Sequence, residues 1–178
     1  MRYAQIRSMD VSNGSGIGAA LFVQGCHFHC GNCFNKDTWD FTGGKEWTPE
    51  TKKKFLELID KPYITRVSIL GGEPLADENL DGVLDLVTTI KKEFSQKTIW
   101  LYSGYTIDQV FFPLYINMPP SEEEWKKIDI IKQCDVMVDG QYIDSQRDIT
   151  LRWKGSANQR VIDVKKSLEQ NEIILYCD

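Results

Sequence analysis

Apolar positions in this chain fall into short runs, separated by longer stretches in which they recur every three or four residues. The runs Ala19–Val23, Ile64–Leu70, Thr98–Tyr102, Asp135–Val138 and Arg160–Val164 read as strands, and an extended segment covers Tyr3–Met9. The stretches between them have helical spacing. Thr48 followed by Pro49 marks a helix start, with the helix running to about Asp60. Leu80, Val83, Leu84, Val87, Ile90 and Phe94 share one face of a second helix. Ser121 with Glu124 forms a capping box opening a third, which continues towards Ile131. Strands alternating with amphipathic helices predict an α/β fold around a mostly parallel sheet. The segment FFPLYINMPP at 111–120 interrupts this rhythm with prolines, and is expected to be a loop with its own apolar cluster or a contact with a partner.

Composition narrows the setting. With 178 residues, 42% of them hydrophobic, the chain can bury one sizeable core, and one domain over residues 1–178 is expected. A net charge of −5 disfavours a general nucleic-acid binder, which needs a surplus of Lys and Arg. The N-terminal MRYAQIRSMD lacks a signal-type apolar core, and no run approaches the roughly 18 apolar residues of a membrane span. A cytoplasmic protein without membrane attachment is expected. An odd set of five cysteines fits a reducing compartment. Cys134 and Cys177 read as buried or incidental thiols.

The other three cysteines carry the chemistry. GCHFHCGNCF at 25–34 places Cys26, Cys30 and Cys33 just after a predicted strand, with no fourth thiol nearby. A structural zinc site normally closes with four ligands, so a trio suggests a metal centre with one position left for an exogenous ligand. A [4Fe-4S] cubane held through three of its irons meets that description. GGEP at 71–74, SGYT at 103–106 and DGQY at 139–142 also follow predicted strands. Loops at the C-terminal ends of parallel strands converge on one mouth, so four loops are expected to face one cavity.

These motifs resemble those of the radical S-adenosylmethionine (SAM) enzymes. VSNGSGIGAALFVQGCHFHCGNCFNKDTW, SILGGEPL, WLYSGYT, VMVDGQY and LRWKGSANQRVIDV, in that order, are similar to the activating enzymes of anaerobic ribonucleoside-triphosphate reductases. The likeness runs from about Tyr3 to Val164. It implies an incomplete (βα)6-type radical SAM barrel, open at its mouth to admit protein backbone. Cys26, Cys30 and Cys33 would ligate the [4Fe-4S] cluster, whose fourth iron would bind the amino and carboxylate groups of SAM. Asn32, Cys33 and Phe34 would run along the adenosyl group, Gly71, Gly72 and Glu73 would meet the methionine amino group, and Ser103 and Asp139 would line the same cavity. Many radical SAM enzymes have an aromatic residue just before the third cysteine, whereas here Asn32 stands there and Phe34 follows, a shift that the reductase activators share. The implied reaction is reductive cleavage of SAM to methionine and a 5′-deoxyadenosyl radical that takes hydrogen from a glycine of the reductase. A one-electron donor such as flavodoxin is also implied.

Arg152, Trp153, Asn158 and Gln159 are candidates for gripping the glycine-bearing loop, since Trp and Arg dominate interface energetics. Other readings stand beside this one. The cysteines could form a zinc knuckle completed by His27 or His29, and RWKGSANQR could be a solvated turn. The chain could also be a small radical SAM enzyme acting on a low-molecular-weight substrate, or a metal-stabilised binding module without catalysis.

Overall fold

The computed structural model of the chain describes residues 1–176, so Cys177 lies outside the described residues. The elements in chain order are β1 (Arg2–Asp10), β2 (Gly18–Val23), β3 (Lys45–Glu46), α1 (Pro49–Ile59), β4 (Arg66–Gly71), α2 (Leu80–Glu93), β5 (Thr98–Ser103), α3 (Ile107–Tyr115), α4 (Glu122–Gln133), β6 (Val136–Asp139), β7 (Arg160–Asp163) and α5 (Val164–Gln170). One open sheet has the order β3-β1-β2-β4-β5-β6-β7. Its centre, β2-β4-β5-β6, is parallel. β1 and β3 extend one edge antiparallel, and β7 extends the other. This is an α/β fold with the open sheet of a partial radical SAM barrel.

The parallel centre is a consequence of the crossover helices. β2, β4 and β5 are each followed by helices that carry the chain back before the next strand, which forces parallel pairing. Between β6 and β7 residues 140–159 contain only a turn of 3-10 helix at Asp144–Gln146, and the chain returns antiparallel. The caps read from sequence are in place. Thr48 accepts from the Thr51 N–H with Pro49 at the first helical position, and Ser121 and Glu124 form a reciprocal capping box.

Both faces of the central strands are covered, and β2 is buried along its whole length. Ala19, Leu21, Val23, Val67, Ile69, Ile99, Leu101 and Met137 pack with the helices in the main core. The alternate residues Phe22, Leu70, Trp100, Tyr102, Val136 and Val138 belong to two smaller clusters on the opposite face. That second face lines the concave interior.

Two details depart from the sequence pattern. On α2 the fully buried stripe is Leu80, Val83, Leu86, Val87 and Ile90, while Leu84 and Phe94 are only partly buried. The segment 111–120 is not a loop throughout: Phe111–Tyr115 completes α3, with Pro113 inside the helix. Pro113 has no N–H to donate to the Gln109 carbonyl, so one bond of the ladder is missing, and the helix ends two residues later. The Thr106–Gln109 capping box, not recognised from the pattern, fixes the start of that helix.

Candidate radical SAM site

The cysteine loop leaves β2 at Gln24, and its path is set by the backbone around it. Gly25 donates to the Thr38 carbonyl at 2.7 Å and Cys26 N–H donates to the Trp39 carbonyl at 3.1 Å, which anchors the loop base. His29 and Asn32, one in each gap between successive cysteines, take positive φ of 48° and 57°. These left-handed turns curl the chain, and Cys26, Cys30 and Cys33 all border one cavity of about 420 Å³. All three thiols are free and partly exposed.

Neither histidine completes a zinc site. His27 Nε2 lies 3.1 Å from Glu78 and its ring packs on Phe41, while His29 stacks on Trp39. Among the described residues no three His, Cys, Asp or Glu side chains close on a single ion. A cubane does not require such convergence, because each thiolate binds a different iron. Three sulfurs on one cavity wall, with no fourth protein ligand, therefore fit a [4Fe-4S] cluster with one iron left for another ligand. In the chain alone burial pushes the Cys26 thiol up to about 11, with the charge of Glu73 adding to the rise and the Phe28 and His29 N–H groups opposing it. Bound cations reverse that balance and favour the thiolate.

The loops after β4, β5 and β6 meet the same cavity, as expected. Gly71, Gly72, Glu73, Ser103, Gly104, Gly140 and Gln141 line it. The loops are locked together by Glu73, which is 2% exposed. Its carboxylate accepts from the Leu75 N–H, the Ser103 hydroxyl and the Gly104 N–H, each at 2.8 Å. Burial nonetheless pushes the Glu73 carboxyl up to about 7 against those donors. Its side chain therefore cross-links two loops, and the Gly71–Glu73 backbone is the part that remains for a ligand. Gly72 is required by a neighbour: a Cβ there would sit 2.4 Å from the Gly25 carbonyl oxygen, at the root of the cysteine loop. Phe28 from the cysteine loop covers Gly104 in the same manner, its ring 4.9 Å from that of Tyr105.

The remaining predicted residues separate into two groups. Cys33, Phe34 and Ser103 line the cavity, with Phe34 beneath the Arg147 guanidinium. Asn32 does not: its amide donates to Asp144 at 2.8 Å, and only its backbone belongs to the loop. Asp139 is also removed from the cavity. It is 1% exposed, held by Arg160 at 2.6 and 3.0 Å and by the Ile107 N–H at 2.9 Å, so its carboxylate orders α3 and β7.

The partner-gripping set is likewise redistributed. Gln159 accepts from the Gly155 and Ser156 N–H groups and donates to the Gly140 carbonyl. Asn158 accepts from the Ser156 hydroxyl and donates to the Gln141 carbonyl. Both amides therefore stitch 155–159 onto the DGQY loop, with Asn158 also exposed at the surface. Trp153 packs on Trp100 and Tyr176 while bordering the cavity, and of the four residues Arg152 and Asn158 are exposed.

Residues not singled out from sequence also enter the cavity wall, among them Arg7, Asn13, Phe22 and Tyr102. The alternation in TIWLYS places Trp100 and Tyr102 on one face and could have indicated Tyr102. Arg7 and Asn13 arrive through the antiparallel return of β1, for which the sequence carries no local sign.

Comparison with known proteins agrees with this geometry. Residues 12–162 match the model of the 4Fe-4S single cluster domain. The chain is 37% identical over 161 residues to the anaerobic ribonucleoside-triphosphate reductase-activating protein of Vibrio cholerae, covering 89% of this chain and 96% of that one. It is 32% identical to the protein of that name from Enterobacteria phage T4, over 90% of this chain and 93% of the relative. The Escherichia coli K12 protein of that name is 32% identical over 90% of this chain and 97% of its own length. A cysteine trio without a fourth ligand, the glycine loops converging on it, and relatives matched along nearly their whole length place this chain in the family of radical SAM activating proteins of anaerobic ribonucleoside-triphosphate reductases.

Proposed function

We propose that this chain generates the glycyl radical of an anaerobic ribonucleoside-triphosphate reductase, with a [4Fe-4S] cluster on Cys26, Cys30 and Cys33 and SAM against the Gly71–Glu73 backbone and Ser103. The observation that carries the reading is the single cavity shared by three thiols and the glycine loop. When bound, the cluster and SAM supply one-electron cleavage of the sulfonium to methionine and a 5′-deoxyadenosyl radical that takes hydrogen from a glycine, the electron coming from an external donor such as flavodoxin.

The chain's own residues bind, shape and shield. The three cysteines hold the irons, and the curled backbone at His29 and Asn32 fixes where their sulfurs sit. Glu73 keeps the loops after β4 and β5 in register, so the backbone surface offered to SAM is rigid before it binds. Phe28 and Phe34 flank the cysteines on the cavity wall.

The test is anaerobic reconstitution with iron and sulfide, followed by dithionite and SAM. The wild-type chain is expected to take up four irons per chain by the cubane stoichiometry and to release 5′-deoxyadenosine. With the cognate reductase added, a glycyl radical should appear in the electron paramagnetic resonance spectrum. A loaded chain that makes 5′-deoxyadenosine but leaves the reductase without a radical would contradict the assignment of the partner.

A further inference from the structure

The chain returns from β6 to β7 over residues 140–159, and that segment is laid against the cysteine loop. Asp144, which opens its 3-10 turn, is the point of attachment. One of its carboxylate oxygens accepts from the Asn32 side-chain amide at 2.8 Å, and the other accepts from the Tyr142 hydroxyl at 2.7 Å. These two donors, Asn32 foremost, hold the Asp144 carboxyl below the ordinary range. Asn32 stands between Cys30 and Cys33 at a φ of 57°, in the left-handed turn that brings both sulfurs to the cavity.

The residue on the other side of Cys33 is held by the same segment. The Tyr142 ring packs edge-on against Phe34 with centroids 5.3 Å apart, and the Arg147 guanidinium lies 5.2 Å from the centre of the Phe34 ring. Gly155 completes the contact, since a Cβ there would come within 3.1 Å of Tyr142 and 3.3 Å of Phe34. The segment is braced in turn by Ser156, which is fully buried, accepts from the Ile143 N–H and pairs with Arg147 in an antiparallel bridge. Asn32 and Phe34, the two neighbours of Cys33, are thus both fixed from outside the cysteine loop. The segment also bears on Cys30: burial raises that thiol and the charge of Cys33 adds to the rise, while the Tyr142 N–H opposes it.

We propose that Asp144 is a positioning residue for the cluster: through Asn32 it sets the Cys30–Cys33 turn before iron arrives, and it keeps the Tyr142 backbone beside the Cys30 sulfur. The inference rests on the proposed function. Cys30 and Cys33 would each hold a different iron, so the placing of their sulfurs relative to one another decides how well a cluster is held. A turn ordered in advance loses less entropy when the cluster forms and releases it more slowly. An N–H facing a thiolate sulfur stabilises the reduced, more negative cluster.

The test breaks the tie from each side. Asn32→Gly removes the amide but keeps the left-handed turn and the net charge, and Asp144→Ala removes the acceptor. After anaerobic reconstitution, release of the cluster to an iron chelator, followed by the loss of visible absorbance, should be about fivefold faster in each variant than in wild type. The double variant should release no faster than Asp144→Ala alone, because one contact is broken in both. The reduction potential of Asn32→Gly, measured without SAM, should be more negative than that of wild type. In the cluster-free chain, amide hydrogen exchange across 27–34 should quicken in both variants. Release as slow as wild type would overturn the proposal, and so would multiplied effects in the double variant, which would make the two side chains independent. Faster release at an unchanged potential would overturn it as well, leaving the contact a tie between loops. Failure of the cluster assignment itself shows elsewhere: wild type would then retain no iron after reconstitution.

Discussion

At position 72 one hydrogen separates two loops that must touch. Because a Cβ there would meet the Gly25 carbonyl at 2.4 Å, Gly72→Ala should displace the turn that launches Cys26. Iron content after reconstitution and SAM affinity are expected to fall together, and full iron loading with SAM binding alone impaired would show that the strain is not passed to the cysteine loop. Among the thiols, Cys30→Ala should abolish both the cluster absorbance and 5′-deoxyadenosine formation. Cys134→Ala should retain both, since Cys134 is buried in the main core with its thiol against the Ile130 carbonyl. Glu73 gives a pH signature. Its folded carboxyl, at about 7, lies above the ordinary value of 4.5, so its share of stability is present at low pH and lost as pH rises through 7. Glu73→Gln removes that loss. By chemical denaturation of the cluster-free chain, the variant's stability relative to wild type should rise by about 2 kcal/mol between roughly pH 5 and pH 8; a flat difference would place the carboxyl at its normal value. The cysteines were legible because their spacing is local. The bracing by Glu73 was not, because Leu75, Ser103 and Gly104 come together only when β4 and β5 pair.

At the scale of elements, the amides of the 155–159 loop are held by hydrogen bonds within the chain. Gln159 bridges Gly140, Gly155 and Ser156, and the loop it holds forms part of the cavity wall. Gln159→Ala should therefore reduce uncoupled SAM cleavage and glycyl-radical formation together, whereas Arg152→Ala, at an exposed side chain, should reduce radical formation alone. Opposite outcomes in the two assays would return the amide to the partner surface. The cap of α3 is a second element-level prediction: Thr106→Ala removes the acceptor for the Gln109 N–H and should cost about 1 kcal/mol, measured as a lowered melting temperature. Strands β2, β4, β5 and β6 were legible within a residue or two because they are short apolar runs bounded by polar loops. The direction of β7 was not, since an apolar run has the same pattern whichever way it pairs. The missing helix between β6 and β7 decides it.

Across the whole molecule, helices on one face of the sheet leave the other face to form the cavity, and every loop after a parallel strand opens into it. No helix of the described residues is long and apolar enough to cross a membrane. The open sheet leaves one side of the cavity without a strand, which suits a substrate that is a segment of another protein. In the proposed function, hydrogen leaves a glycine of that protein and is taken up by the 5′-deoxyadenosyl group. The most direct measurement uses reductase carrying glycine deuterated at the α-carbon, incubated with the reconstituted chain, SAM and a one-electron donor. 5′-Deoxyadenosine heavier by one deuterium is expected, formed in step with the glycyl radical signal. Undeuterated 5′-deoxyadenosine, with no radical on the reductase, would contradict it.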